Sequence, residues 1–268
     1  MPPAAGYARL VLALPLQFLG VPLVAGCAGA ALADPEVDVQ DPGGLTPLSS
    51  YRTEPIGQFV VLWHPAMAEE DPGFALRVRA ALIYDLESVT RSVSPGALRA
   101  LAGTRLAVAP ATPRVPTLPS GGRGAGTHVS AAWLVAHGFD AEREGAIEIY
   151  DARDYLAWRA EQPLMMLHEL THVLEMGANR ATLALLEQAF RKAVDAGSYE
   201  AVPYILAPLG VTRRAYAIGN FKEYGAELSE AFYGRNDYYP YTRPDLIAHD
   251  PSGCHAVAAL WMTSCPPG

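Results

Sequence analysis

Residues 164–175 read LMMLHELTHVLE, an apolar segment that contains two histidines and two acids. Its apolar positions predict a helix that is buried on most of its surface. On a helix, positions i and i+4 share a face, so the imidazoles of His168 and His172 point to one place. Two neutral imidazoles at this spacing can bind one Zn²⁺. The segment therefore predicts a metal site on a buried helix.

Glu169 lies next to the first histidine, where its carboxylate can take a proton from an attacking water molecule. This position predicts a general base for hydrolysis. The alternative is coincidence, because HExxH strings also occur in proteins that bind no metal. Buried histidines and a buried acid nevertheless need partners, since unpaired polar groups are costly inside a protein. A bound metal would be such a partner.

A second segment, FKEYGAELSEAFY at residues 221–233, strengthens the prediction of a metal site. Glu223 and Glu227 stand at i and i+4 of a predicted helix that ends at Gly234. A carboxylate can complete three protein ligands and leave a fourth position open. We assign that role to Glu223 and expect Glu227 to accept a hydrogen bond from a ligand imidazole. The alternative is a solvated helix face, which is our interpretation of Glu230.

These residues resemble the C-terminal catalytic domain family of anthrax lethal factor, especially its small exported relatives. The resemblance covers roughly residues 125–262. It is carried by WL at 133–134, QP at 162–163, HELTH at 168–172, YA at 216–217, EYGAELSEAF at 223–232, GRNDYYP at 234–240 and HDP at 249–251. It implies a gluzincin metallopeptidase with a zincin-like fold and one Zn²⁺ per chain.

Carried over residue by residue, the resemblance makes His168, His172 and Glu223 the zinc ligands. It makes Glu169 the catalytic acid/base and matches Tyr216 to a family tyrosine near the reacting oxygen. A phenol in that place can stabilise the oxyanion of a tetrahedral intermediate or protonate the leaving amine.

The chain departs from the family in two respects. Gly225 stands where relatives tend to carry an aromatic residue, which predicts a roomier wall beside the metal. The other domains of the toxin have no counterpart in these 268 residues, so toxin activity is not implied.

The stretch AIEIY at residues 146–150 alternates in polarity and predicts a strand shortly before the HELTH helix. In zincins an edge strand in this place pairs with an extended substrate backbone. The resemblance thus makes Ile147, Glu148, Ile149 and Tyr150 candidate substrate-binding residues; an ordinary sheet strand is the alternative.

Strand patterns precede helix patterns along the chain, which predicts an α+β fold. We expect a mixed sheet lobe, its edge strand over the HExxH helix, and a mostly helical C-terminal part.

Residues 1–33 predict an export signal, because one cation precedes an apolar run that is too short and too interrupted to span a membrane. Two processing sites compete, a lipobox that ends at Cys27 and cleavage after Ala33. Residues 34–50 are rich in Pro, Asp and Gly and predict a flexible lead or tether. Residues 51–268 then form the metallopeptidase domain.

The formal net charge is -8 and no Lys/Arg block occurs, so a nucleic-acid partner is not expected. We expect a monomer that is secreted or held at the envelope only by a lipid on Cys27.

In an oxidising compartment Cys254 and Cys265 are expected to form a disulfide. The expected substrate is a peptide or protein. The alternatives are a zinc-containing binding protein without turnover and a non-protein amide hydrolase with the same site.

Overall fold

The computed structural model describes residues 46–110, 125–128, 130–136 and 139–267. The predicted export signal, with its processing sites at Cys27 and Ala33, lies outside the described residues. Residues 34–45 of the predicted lead lie outside them as well.

A mixed five-stranded sheet forms the first part of the fold, in the order β1-β2-β3-β5-β4. β2, β3 and β5 run parallel, whereas β1 and β4 pair antiparallel with β2 and β5 at the two sides. The strands are β1 Arg52–Ile56, β2 Phe59–Trp63, β3 Arg105–Val108, β4 Ala125–Thr127 and β5 Ile147–Ile149. Val61, Leu106, Ile147 and Ile149 on one face join the main core.

Helices cover that face and form most of the remaining structure. They are α1 Pro72–Ser92, α2 Pro95–Ala100, α3 Ala131–Ala136, α4 Ala152–Trp158, α5 Met165–Gly177, α6 Arg180–Asp195, α7 Phe221–Tyr233, α8 Arg243–His249 and α9 Pro251–Leu260. A short hairpin, β6 Val202–Pro203 with β7 Thr212–Arg213, lies between α6 and α7. The prediction of an α+β fold with a mixed sheet is confirmed.

The strand predicted at residues 146–150 is present as β5, but the expectation that it lies at the sheet edge was wrong. β5 pairs with β3 on one side and with β4 on the other. Among the described residues, β4 has a strand neighbour on one side only. β4 packs against α5, so an edge strand does lie over the HELTH helix, but it is Ala125–Thr127.

α5 is buried because sheet and helices enclose it. It packs against β4, α1, α2 and α7, and Leu167, Leu170 and Leu174 on it belong to the main core. His168 and His172 are buried as well. The metal-ligand pattern of the sequence is thus placed inside the fold, at the contact between α5 and α7.

The outer face of the sheet is partly covered by the chain that precedes β1. Leu48 is buried against Leu62 and Ala107, and the Thr46 carbonyl oxygen accepts a hydrogen bond from Arg143 at 2.7 Å. Residues 46–50 are therefore packed on the sheet, although a flexible lead was expected there.

Two further features concern the chain's surroundings. Cys254 at the start of α9 is bonded to Cys265, which ties the C-terminal segment to the helix, as predicted. Within the described ranges, no helix is long and apolar enough to cross a membrane.

Candidate metal centre

Two neighbouring helices bring the three predicted ligands together. α5 carries His168 and His172, whose ring centroids are 5.1 Å apart. α7 carries Glu223, whose Oε2 lies 3.2 Å from Nε2 of His168 and 3.6 Å from Nε2 of His172. The three donor atoms lie within 4.8 Å of one another. This buried His/Glu group could hold a metal ion.

The position of Glu223 follows from how α7 begins. Asn220 is the N-cap, and its Oδ1 accepts hydrogen bonds from the backbone N–H groups of Lys222 at 2.9 Å and Glu223 at 3.1 Å. An amide side chain at this position satisfies helix N–H groups that have no partner in the helix itself. The positive end of the helix dipole also favours an acid in the first turn. The cap therefore fixes both the start of α7 and the place of the carboxylate.

The second nitrogen of each imidazole donates to a buried carboxylate. Nδ1 of His168 donates to Oε1 of Glu230 at 2.8 Å, and Nδ1 of His172 donates to Oε2 of Glu175 at 3.1 Å. In a neutral imidazole whose proton is on Nδ1, the lone pair is on Nε2, the atom that faces Glu223 in both rings. These contacts thus favour, in the neutral rings, the tautomer and the orientation that suit metal binding through Nε2.

The acids on α7 differ from the sequence prediction. Glu230 was expected on a solvated face, but it is 0% exposed and also accepts a hydrogen bond from Gln162, so that interpretation was wrong. Glu227 was expected to bond a ligand imidazole, yet its Oε1 lies 3.7 Å from Nδ1 of His168, beyond hydrogen-bond length. Glu223, Glu227 and Glu230 share one face at i, i+4 and i+7, a signal that the sequence already contained.

Acidic groups around the imidazoles make the site favourable for positive charge. Burial alone would lower the pKa of His168, but hydrogen bonds with Glu223 and Glu230 raise that pKa well above its usual value. Burial would also lower the pKa of His172, but hydrogen bonds with Glu175 and Glu223 outweigh this effect and raise that pKa to about 9. Burial would raise the pKa of Glu223, yet the two imidazoles bring it far below its usual value. Without a metal ion, protons on the two imidazoles supply positive charge beside these carboxylates. A divalent cation bound between the imidazoles and Glu223 would supply that charge instead.

Unpaired carboxylate oxygens point to the same conclusion. Oε1 of Glu175 and the Oε2 atoms of Glu227 and Glu230 are buried and have no hydrogen-bond partner among the described residues. Burial, with the nearby charges of Asp237 and Glu230, raises the pKa of Glu227 well above its usual value. Buried acceptors without partners are costly, and a cation between the helices would offset the excess of acid groups. The donor set and its surroundings therefore fit a metal ion.

A second group of donors, His168 with Glu227 and Glu230, also lies within 4.8 Å. It shares His168 with the first group and meets that ring through Nδ1, which is already bonded to Glu230. The first group is the better candidate for a metal ion, because it uses both imidazoles and leaves each Nδ1–H with its carboxylate.

Glu169 is held by the edge strand β4. Oγ1 of Thr127 donates a hydrogen bond to Oε2 of Glu169 at 2.6 Å and lies 3.1 Å from its backbone carbonyl oxygen. The carboxylate of Glu169 is thus oriented from the sheet side while its backbone is fixed in α5. Thr127 was not predicted from the sequence, because it is 42 positions from Glu169 and the two residues meet only when β4 is placed over α5.

If the site hydrolyses peptides, as the sequence resemblance implies, Thr127→Val is expected to lower kcat by roughly 10- to 100-fold, because a hydrogen bond to a charged group contributes about 1.5–3 kcal/mol. The variant has nearly the same shape, so KM and metal content should stay near the wild-type values. Steady-state kinetics on a peptide substrate would measure both constants. The matched control is Thr90→Val, which removes a hydroxyl that bonds a backbone carbonyl in α1. An unchanged kcat in Thr127→Val would contradict a role for this contact.

Tyr216, which the resemblance assigns to the site, lies beside His168. It occupies a single 3-10 turn just before α7, and its ring stacks on His168 with centroids 6.5 Å apart. Burial and the neighbouring charge of Glu223 raise the pKa of the Tyr216 phenol above its usual value. The phenol therefore stays protonated near neutral pH and can donate a hydrogen bond. Tyr216 is 45% exposed, whereas His168 and His172 are buried.

The segment predicted to bind substrate has other partners. Ile147, Glu148 and Ile149 are buried inside the sheet. Both carboxylate oxygens of Glu148 are engaged, one by Arg143 and the other by His128 at 2.7 Å. The hydroxyl of Tyr150 lies 3.1 Å from the same His128 nitrogen. Burial and the charge of Arg143 lower the pKa of His128 to about 4, so His128 is neutral near pH 7. These residues anchor β4 and β5 to each other.

No protein-family model matches the chain, and no curated protein or solved structure matches it either. The assignment of a function therefore depends on the residues of the site and their geometry.

Proposed function

We propose that the chain is a zinc-dependent metallopeptidase of the gluzincin type. The observation that carries this proposal is the convergence of His168, His172 and Glu223, with Glu169 beside the first of them. Two imidazoles and one carboxylate are a set that catalytic zinc sites use, with a fourth position left for water or substrate. The carboxylate partners of both Nδ1 atoms are also typical of zinc-binding histidines.

When bound, zinc would polarise a substrate carbonyl and lower the pKa of water toward 7. Glu169 accepts the proton of the attacking water and passes it to the departing amine. Thr127 keeps the Glu169 carboxylate in place during both transfers. Tyr216 donates its phenolic proton in a hydrogen bond to the oxygen that becomes negative.

The edge strand β4 is the place where we expect the substrate backbone to pair. β4 uses one side for β5, and its last residue, Thr127, contacts Glu169. A Cβ added to Gly126 would meet no atom within 4 Å among the described residues, so the backbone is open to close approach there. An extended peptide beside β4 would therefore pass the general base.

The test is cleavage of unfolded casein and of a peptide library by the purified full chain, with products identified by mass spectrometry. Cleavage at peptide bonds that a chelator abolishes and added Zn²⁺ restores would support the proposal. Tightly bound zinc without cleavage of any peptide would contradict a peptidase and favour a binding protein. Cleavage of cell-wall amides but not of peptides would favour a non-protein amide hydrolase.

Export is part of the same proposal, and the disulfide between Cys254 and Cys265 supports it, since disulfides persist in oxidising compartments. N-terminal sequencing of the protein from fractionated cells tests it. A start at lipid-modified Cys27 or at Asp34 would support export, and an intact Met1 in a cytosolic fraction would contradict it.

A further inference from the structure

Glu175 sits in a space that exists because residue 225 is a glycine. A Cβ on Gly225 would lie 2.5 Å from Oε1 of Glu175 and 2.9 Å from Cδ2 of Leu186. Both distances are shorter than side-chain contacts normally allow, so any larger residue would displace Glu175, Leu186 or both. The roomier wall predicted from Gly225 was therefore wrong, because these two side chains fill the space.

The carboxylate of Glu175 reaches His172 from this space. The two residues stand at i and i+3 on α5, and Oε2 of Glu175 accepts the hydrogen bond from Nδ1 of His172 at 3.1 Å. Glu175 is 3% exposed and lies close to the end of α5, where a free glutamate could otherwise extend into water. The backbone of α7 at Gly225 and the side chain of Leu186 confine it beside the imidazole.

We propose that Glu175 is a positioning residue for the metal ligand His172 and that Gly225 serves this role by admitting its carboxylate. The hydrogen bond keeps the proton on Nδ1 and fixes the ring so that Nε2 faces Glu223. The proposal rests on the proposed zinc site but adds residues that the ligand pattern does not include. It also explains why α7 carries glycine at the helix position closest to Glu175.

The test is zinc affinity, measured by competition with a chromophoric chelator on the full chain. Glu175→Ala is expected to weaken zinc binding by about 10- to 100-fold, the usual effect of removing the partner of a ligand histidine. Glu175→Gln is expected to recover most of this loss, because its amide oxygen can still accept from Nδ1–H. Gly225→Ala should weaken binding to a similar degree by displacing Glu175.

A double variant separates the two routes by which Gly225→Ala can act. If Gly225 matters only through Glu175, adding Gly225→Ala to Glu175→Ala causes no further loss of zinc affinity. A further loss in the double variant would assign the effect to Leu186 and overturn the role of Gly225. The matched control is Gly177→Ala at the last residue of α5, where an added Cβ would meet no atom of the described residues within 4 Å. Thermal unfolding of the metal-free forms verifies that each variant folds.

Failure of this inference differs from failure of the proposed function. Wild-type zinc affinity retained in Glu175→Ala would overturn the positioning role and leave the zinc site standing. Equal losses in Glu175→Ala and Glu175→Gln would also overturn it, since an acceptor alone would not suffice. A wild-type chain that binds no zinc would overturn the proposed function itself.

Discussion

Glu169→Gln is expected to lower kcat for peptide cleavage by roughly 10²- to 10⁴-fold, the usual contribution of a general acid/base. Glutamine has the same shape as glutamate and can still accept the hydrogen bond from Thr127, but it cannot take the proton of the attacking water. The metal ligands are untouched, so zinc content should equal that of the wild type. The measurement is kcat and KM on one peptide substrate, with metal content determined on the same samples.

The control for this variant is Glu187→Gln, which changes an acid that pairs with Arg191 on the half-exposed face of α6. It should retain wild-type kcat. Full peptidase activity in Glu169→Gln, with zinc bound, would contradict the assignment of Glu169 as general base.

Removing the metal is expected to lower Tm by about 8–16 °C relative to the zinc-loaded chain. A ligand present at ~1,000 times its Kd stabilises the folded state by about 4 kcal/mol. In a domain of this size about 1 kcal/mol shifts Tm by ~2–4 °C. The physical reason is the excess of buried acid around the imidazoles, including oxygens of Glu175, Glu227 and Glu230 that have no hydrogen-bond partner in the described part of the chain. Without a cation, burial of these acidic groups lowers the free energy of unfolding.

Calorimetry with and without chelator measures this shift, and His168→Ala is the control, because a chain without this ligand should show little dependence on zinc. Mg²⁺ should not replace zinc, since it prefers oxygen ligands in octahedral geometry. An identical Tm in the presence of zinc and of chelator would contradict a metal centre at these residues.

The local part of the site could be predicted from the sequence because helical spacing determines it. His168 and His172 share a face of α5 through their separation of four residues. Glu223 lies in the first turn of α7, a helix whose end before Gly234 was also expected. Glu230 lies seven residues after Glu223 on the same face of α7, and Glu175 lies three residues after His172 on the same face of α5. The prediction assigned site roles only to residues within one turn of the first ligand on each helix. Both were therefore missed as partners of the ligand imidazoles.

The long-range part could not be predicted from one sequence. β4 has three residues, too few for a strand pattern, and its pairing with β5 moves β5 from the edge to the interior of the sheet. Thr127 reaches Glu169 only through this pairing. The fit of Glu175 against Gly225 likewise depends on how closely α5 and α7 approach each other, which no periodicity in either helix specifies.

The most direct test of the metal centre is the zinc stoichiometry of the wild type and of Glu223→Ala, measured by mass spectrometry after reconstitution and removal of loosely bound metal. Glu187→Ala provides a control in which an acid outside the site is lost. The expected result is one zinc per chain in the wild type and in Glu187→Ala, and little or none in Glu223→Ala. A wild-type chain without zinc, or a Glu223→Ala variant that holds zinc as tightly as the wild type, would contradict a three-ligand site of His168, His172 and Glu223.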